Sequence, residues 1–234
     1  MRTRSGALID DDLKIDLPPD TYMQALRDGV ELSKVRSLFI THTHADHYYL
    51  HELAMLFPPF AHDGPALRIF GDRWAIEGIL QTFPNWPQRE NLYTIEAYQK
   101  IEVDGAEVWS LRAAHYPSRG ALNYVVRRGG RTLLYGMDSG WFPDDSWAAQ
   151  KEFRFDAVIL DCTHGAIPAG AYHGGIDSVI ATKERMLQEG TATEDTVFVA
   201  NHFSHNGGLL HEELEERLSP HDILVAYDGM VLEV

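Results

Sequence analysis

The chain has 234 residues, enough for one domain with a substantial core, because about 70–75% of the surface of a chain this size is buried on folding. Its composition, 44% hydrophobic and 24% charged, excludes a fibrous chain and a wholly disordered one. A formal net charge of -15, from 20 Lys and Arg against 35 Asp and Glu, argues against a protein that grips a polynucleotide by its phosphates.

No stretch nears the ~20 apolar residues of a membrane span, and Met1 to Asp12 lacks a signal-peptide core. The single cysteine, Cys162, leaves no intrachain disulfide, no cysteine zinc finger and no CxxC pair. A cytoplasmic, reducing compartment is therefore expected.

Taken in chain order, Ser5–Asp10 and Leu13–Leu17 read as two short strands around an acidic turn. Asp20 is placed to cap a helix over Thr21–Asp28, closed by Gly29. Val35–Thr41 is a buried strand, Tyr48–Phe57 a helix stopped by Pro58-Pro59, Leu67–Gly71 a strand and Arg73–Phe83 a helix. Gln99–Val103, Ala106–Ala114, Leu122–Arg127 and Arg131–Tyr135 form a run of strands, with tight turns at Asp104-Gly105 and Gly129-Gly130. A helix near Asp144–Glu152, a strand at Ala157–Asp161, a helix over Asp177–Gln188, a strand at Thr196–Ala200 and a helix over His211–Leu218 follow. Ile223–Ala226 and Met230–Val234 are expected to close as a hairpin over Asp228-Gly229. Several strands are hairpin-linked, so regular βαβ alternation is not expected. The pattern predicts an α/β chain with two mixed sheets covered by helices.

The 12 histidines are unusual in number and more so in placement. His42, His44, Asp46 and His47 follow directly on the strand Val35–Thr41. Residues two apart on an extended backbone point the same way, so His42 and His44 converge on one point. Asp46 and His47, at the turn into the next helix, can face a second. Four ligand-type side chains in six positions are costly unless a cation orders them, and imidazole with carboxylate suits Zn, Fe, Mn or Ni. His115, Asp138, His164, His202 and His205 also follow predicted strands, which is how an α/β scaffold builds a site. His51-Glu52 and His211-Glu212 lack the second His of HExxH, and no GxGxxG, P-loop or nucleophile elbow is present.

His42-Thr43-His44-Ala45-Asp46-His47 resembles the HxHxDH signature of the metallo-β-lactamase-fold hydrolases, and His115, Asp138 and His202 match that family's remaining ligands in order and rough spacing. The resemblance covers essentially the whole chain and implies one αββα four-layer sandwich domain over residues 1–234. Within the superfamily it runs to the phosphodiesterase branch, in particular the cyclic phosphodiesterase of bacterial carbon–phosphorus lyase operons. Asp161-Cys162-Thr163-His164, Asn201-His202-Phe203-Ser204-His205 and Tyr227-Asp228-Gly229-Met230 carry that narrower likeness. The family usually opens with a strand ending in a glycine-rich turn. Here the sequence starts at Met1-Arg2-Thr3, past that point, so that strand is expected to be missing.

The family pattern implies two divalent metal ions, zinc, manganese or iron. His42, His44 and His115 would hold the first and Asp46, His47 and His202 the second, with Asp138 bridging. His164 sits where the phosphodiesterase relatives keep a histidine near the reacting phosphate and is the catalytic candidate. His173 and His205 are candidates for touching substrate. The implied reaction is attack of a metal-bridging hydroxide on a small phosphodiester, with cyclic diesters included. The alternatives are thioester or lactone hydrolysis on the same metals, an RNA-processing nuclease, and a metal-free binding scaffold. The expected partner is a small-molecule phosphodiester, with no nucleic acid and no membrane, and the resemblance also points to a homodimer.

Overall fold

The computed structural model describes residues 2–62, 64–86, 88–116 and 120–234. The chain forms two compact units, Met1–Ala97 with Ser118–Leu122 and Tyr98–Pro117 with Asn123–Val234. Among the described residues, no helix is long and apolar enough to cross a membrane.

The first unit is built on a five-stranded sheet in sequential order: β1 (Ala7–Ile9), β2 (Leu13–Ile15), β3 (Ser37–Phe39), β4 (Arg68–Gly71) and β5 (Leu92–Thr94). β1 and β2 form the expected hairpin, and the remaining pairs are parallel. Helices α1 (Thr21–Asp28), α2 (Leu50–Met55) and α3 (Arg73–Thr82) make the crossovers. From β2 onward this half therefore does alternate strand and helix. The sequence reading places these elements through α3 and lacks only β5, which is short and half-exposed, with no apolar alternation to reveal it. Phe39, Phe70 and Tyr93 stand in register on β3, β4 and β5 and stack at 4.6 and 4.7 Å, a cross-strand ladder that favours this pairing.

Local signals set most helix ends. Gly29 closes α1 in the left-handed region, φ 71°, and donates its N–H to Ala25. Asp72 caps α3 by accepting from the Ala75 N–H at 2.9 Å. Asp20 does not cap α1 with its side chain. Its carboxylate instead accepts the Arg4 backbone N–H at 2.9 Å and the Arg4 guanidinium at 3.0 and 3.1 Å, because a charge-assisted pair outcompetes a neutral amide. α2 is shorter than expected because Tyr48 bridges to Leu17, and the Tyr49 N–H donates to the Leu17 carbonyl.

The second unit holds a seven-stranded sheet. Its strands are β6 (Lys100–Val103), β7 (Ala106–Arg112), β8 (Leu122–Arg128), β9 (Arg131–Gly136), β10 (Ala157–Asp161), β11 (Val197–Asn201) and β12 (Ile223–Val225), in the order β12-β11-β10-β9-β8-β7-β6. The turns at Asp104-Gly105 and Gly129-Gly130 are where the sequence put them, all four residues at positive φ. Helices α4 (Asp144–Gln150), α5 (Ile176–Glu189) and α6 (His211–Leu218) complete the unit. Its core gathers Leu134, Trp147, Phe153, Val158, Met186, Phe198 and Leu218.

One expectation fails at the C-terminus. β12 joins the sheet parallel to β11, and Met230–Val234 forms no strand. A returning strand would bury little, since Val231 and Val234 stay exposed. Ile223 and Val225 instead face the core beside the leucines of α6.

The fold positions chemistry because β9, β10 and β11 are parallel neighbours in matched register, with Leu160 opposite Gly136 and Asp161 opposite Asn201. Their carboxyl ends are level, so Asp138, Asp161 and His202 emerge side by side.

Candidate metal-binding clusters

In the first unit, β2 and β3 end together. Asp16 leaves β2 at positive φ, 61°, and its N–H bonds the Phe39 carbonyl. This aims its carboxylate at Thr41, whose N–H and hydroxyl both donate to it at 2.8 and 2.9 Å. His42 and His47 are buried, and the rings of His44 and His47 each lie 4.6 Å from that of His42. The carboxylate of Asp46 is 3.6 Å from His47 Nε2. The four residues of the HxHxDH segment thus share one small region, as their spacing implied.

In the second unit, Asp138 is the hub. It is 3% exposed and sits at φ 46°, a region that an L-residue adopts at a cost and that clusters at functional sites. Its carboxylate oxygens lie 3.8 Å from His115 Nε2, 3.4 Å from His173 Nδ1 and 3.3 Å from His202 Nε2. His202 is also at positive φ, 61°. Ligand-type atoms of Asp138, Asp161, His173 and His202 all fall within 4.8 Å of one another.

The hydrogen bonds fix which ring nitrogen carries the proton. A carboxylate or carbonyl oxygen only accepts, so His47 donates through Nδ1 to Asp16 at 2.7 Å, and His115 through Nδ1 to the Tyr172 carbonyl at 3.2 Å. The hydroxyls of Thr41 and Thr163 spend their hydrogens on Asp16 and Asp161. Their oxygens are left to accept from Nδ1 of His42 at 3.0 Å and of His202 at 2.8 Å. In the neutral form each of these four imidazoles would present Nε2 as a lone pair, the form that binds a metal, held by a second partner that also raises its basicity. For His115 and His202 that nitrogen lies 3.8 and 3.3 Å from the Asp138 carboxylate, close enough for one cation to be shared between ring and acid. The donor set fits divalent metal.

The model of the β-lactamase superfamily domain matches residues 15–203. The chain belongs to that superfamily. Solved structures agree over nearly its whole length. A diphosphatase of the PhnP family is 25% identical with a TM-score of 0.72, over 97% of this chain and 82% of that one. Zinc-bound PqqB from Methylobacterium extorquens is 15% identical with a TM-score of 0.65, over 99% and 88%. The short form of human tRNase Z is 18% identical with a TM-score of 0.69, over 98% and 92%. No curated protein matched at the level of sequence. The two helix-flanked sheets are those of the metallo-β-lactamase fold, and the chain is a metal-dependent hydrolase of that fold.

Within this superfamily member, His173 enters the Asp138 cluster and donates through Nδ1 to Asp161 at 2.9 Å. His164 lies beside it, ring centroids 5.9 Å apart, and its Nδ1 donates to the Pro168 carbonyl at 3.2 Å. His205 is exposed, in a single helical turn after Ser204. Cys162 is fully buried, and burial pushes its thiol up to about 12, so it is no nucleophile at neutral pH. The residues that sequence reasoning did not assign are the orienting ones: Asp16, Thr41, Asp161 and Thr163. Asp16 stands 31 residues from His47, with no local pattern tying the two together. A Thr immediately before the HxHxDH segment, and another two residues after Asp161, are the faint signals that were there.

Proposed function

We propose that this chain is a dinuclear phosphodiesterase acting on a small phosphodiester, cyclic diesters included. In the family pattern, His42, His44 and His115 would hold one divalent ion and Asp46, His47 and His202 the other, with Asp138 available to both. The observation that carries the reading is the Asp138 carboxylate, buried and faced at 3.3–3.8 Å by three imidazoles. The PhnP-family diphosphatase, 25% identical over 97% of this chain, supports phosphorus rather than acyl chemistry.

Two divalent ions held there would supply Lewis acidity, activating water near neutral pH and offsetting charge on the phosphoryl oxygens. The chain's own residues do the rest. Asp16 and Asp161, acting partly through Thr41 and Thr163, keep the imidazoles in one tautomer and orientation. Among the described residues, His173, tethered to Asp161, and His164 beside it are our candidates for handing a proton to the departing oxygen. Neither is fixed by a metal in the assignment above.

The test is elemental analysis with a substrate panel. Two metals per chain after reconstitution with Zn or Mn are expected, with turnover of bis-p-nitrophenyl phosphate. Less than about one metal per chain would sink the dinuclear reading. Activity confined to thioesters or lactones would move the reaction to acyl transfer. Cleavage of RNA alone would favour the tRNase Z-like alternative, which a net charge of -15 counts against.

A further inference from the structure

Two consecutive residues on one segment face two consecutive residues on another. His115 meets His173 with ring centroids 4.8 Å apart, and Tyr116 meets Tyr172 at 5.5 Å with the rings tilted by 32°. The His115 Nδ1 bond to the Tyr172 carbonyl locks the two segments together. The histidines belong to the Asp138 cluster, yet the tyrosines, one residue away, are 68% and 45% exposed. The two rings touch one another and form one exposed aromatic surface beside the cluster.

The segment carrying Tyr172 is built to hold its shape. The N–H groups of His164, Ile167, Gly170 and Ile176 bond the carbonyls of Gly174, His164, His173 and Gly165 at 2.9–3.1 Å. Gly140 lets it close down, since a Cβ there would collide with the Ala171 carbonyl, and a Cβ at Gly174 would collide with that of Asp161. A surface fixed before its ligand arrives loses little entropy on binding. Residues 163–175 contain no Lys or Arg, and Ile167 is half exposed. What the 163–175 side of this rim offers is stacking and apolar contact.

We propose that Tyr116 and Tyr172 form a stacking platform that selects phosphodiesters carrying a flat aryl or heteroaryl substituent. The inference rests on the phosphodiesterase reading and narrows its substrate class. Loaded with divalent metal, the cluster would take the single negative charge, and the tyrosines would take the ring. A polyanion would meet the repulsion of a strongly acidic chain, net charge -15.

The test is calorimetric binding of diphenyl phosphate and diethyl phosphate to the metal-loaded protein. Diphenyl phosphate is expected to bind about 10–100-fold more tightly, the range of aromatic stacking measured by alanine substitution. In the Tyr116→Ala/Tyr172→Ala double variant the preference should fall to within about threefold, while Tyr116→Phe/Tyr172→Phe should retain it. Both side chains are exposed, so folding does not depend on them. Turnover of methyl p-nitrophenyl phosphate separates the two failures. Normal wild-type turnover with no aryl preference, or with a preference that survives the alanine variant, overturns the platform alone. No turnover and no binding of any diester overturns the platform together with the reading beneath it.

Discussion

The carboxylate of Asp16 accepts a 2.7 Å hydrogen bond from Nδ1 of His47, and both side chains are completely buried. The same carboxylate takes the Thr41 hydroxyl, which in turn accepts from His42. One acid therefore orients two metal-ligand candidates. Asp16→Asn keeps the shape but offers one acceptor oxygen in place of two. It is expected to weaken metal binding about 10–100-fold, read by competition with a chromophoric chelator. Thr41→Val should act in the same direction and less strongly, because His47 keeps its partner. Wild-type affinity in Asp16→Asn would show that the orienting bond has no part in metal binding.

The second unit repeats this chemistry with different connectivity. Asp161 accepts from His173 and from the Thr163 hydroxyl and N–H, and Thr163 accepts from His202. Thr163→Val removes only the hydroxyl partner of His202. The expected result is loss or weakening of one of the two ions while the other stays, measured by metal content after dialysis. Parallel loss of both would mean that His202 is not confined to one site.

Asp138 contacts three imidazoles, so its removal should be felt at both ions. Asp138→Ala is expected to abolish hydrolysis and lower both occupancies. His115→Ala should chiefly deplete one ion and His202→Ala the other. Full metal content and turnover in Asp138→Ala would remove the shared carboxylate from the assignment.

His164 and His173 are separated by their leaving-group dependence. Loss of the proton donor should lower kcat by roughly 10²–10⁴ on a diester with an alkoxide leaving group. The defect should be much smaller with p-nitrophenolate, which needs little protonation. The tether to Asp161 and the proximity to Asp138 point to His173→Ala as the variant with that signature. His164→Ala showing it instead would give the role to the histidine named by sequence resemblance. Metal loss in either variant would make that residue a ligand.

Lys14, only 6% exposed on β2, sets a pH dependence of its own. Burial pulls its ammonium down from 10.5 to about 8, with Asp16 opposing the shift. Between about 8 and 10.5 the folded chain has released this proton and the unfolded chain still holds it, so stability rises with pH across that window. Below it, the folded state carries the full cost of a buried cation. That cost is on the order of 3 kcal/mol at most, at about 1.4 kcal/mol per unit. Lys14→Met is therefore expected to melt higher than wild type at pH 7, with the gap closing towards pH 10. A gap independent of pH would mean that Lys14 keeps its proton throughout.

Much of the local structure was legible in the sequence. The hairpin turns at Asp104-Gly105 and Gly129-Gly130, the Gly29 stop and helix α6 are set by residues within a few positions of one another. So is the convergence of His42 and His44, which follows from backbone geometry next to a buried strand. β5, the shortened α2 and the parallel docking of β12 were not legible, because each is fixed by a neighbouring strand distant in sequence.

The sequence by itself determined the ligand-type residues and the superfamily they belong to, since HxHxDH needs only six consecutive positions. Only the tertiary structure decided which carboxylates hold which rings. Asp16 reaches His47 because β2 lies parallel to β3 with Ile15 opposite Phe39, and Asp138, Asp161 and His202 meet because β9, β10 and β11 end level. Strand register brings distant residues together through hydrogen bonds common to every peptide unit, and side-chain pairs such as Phe39 with Phe70 favour a register without naming in advance which distant strand will be the partner.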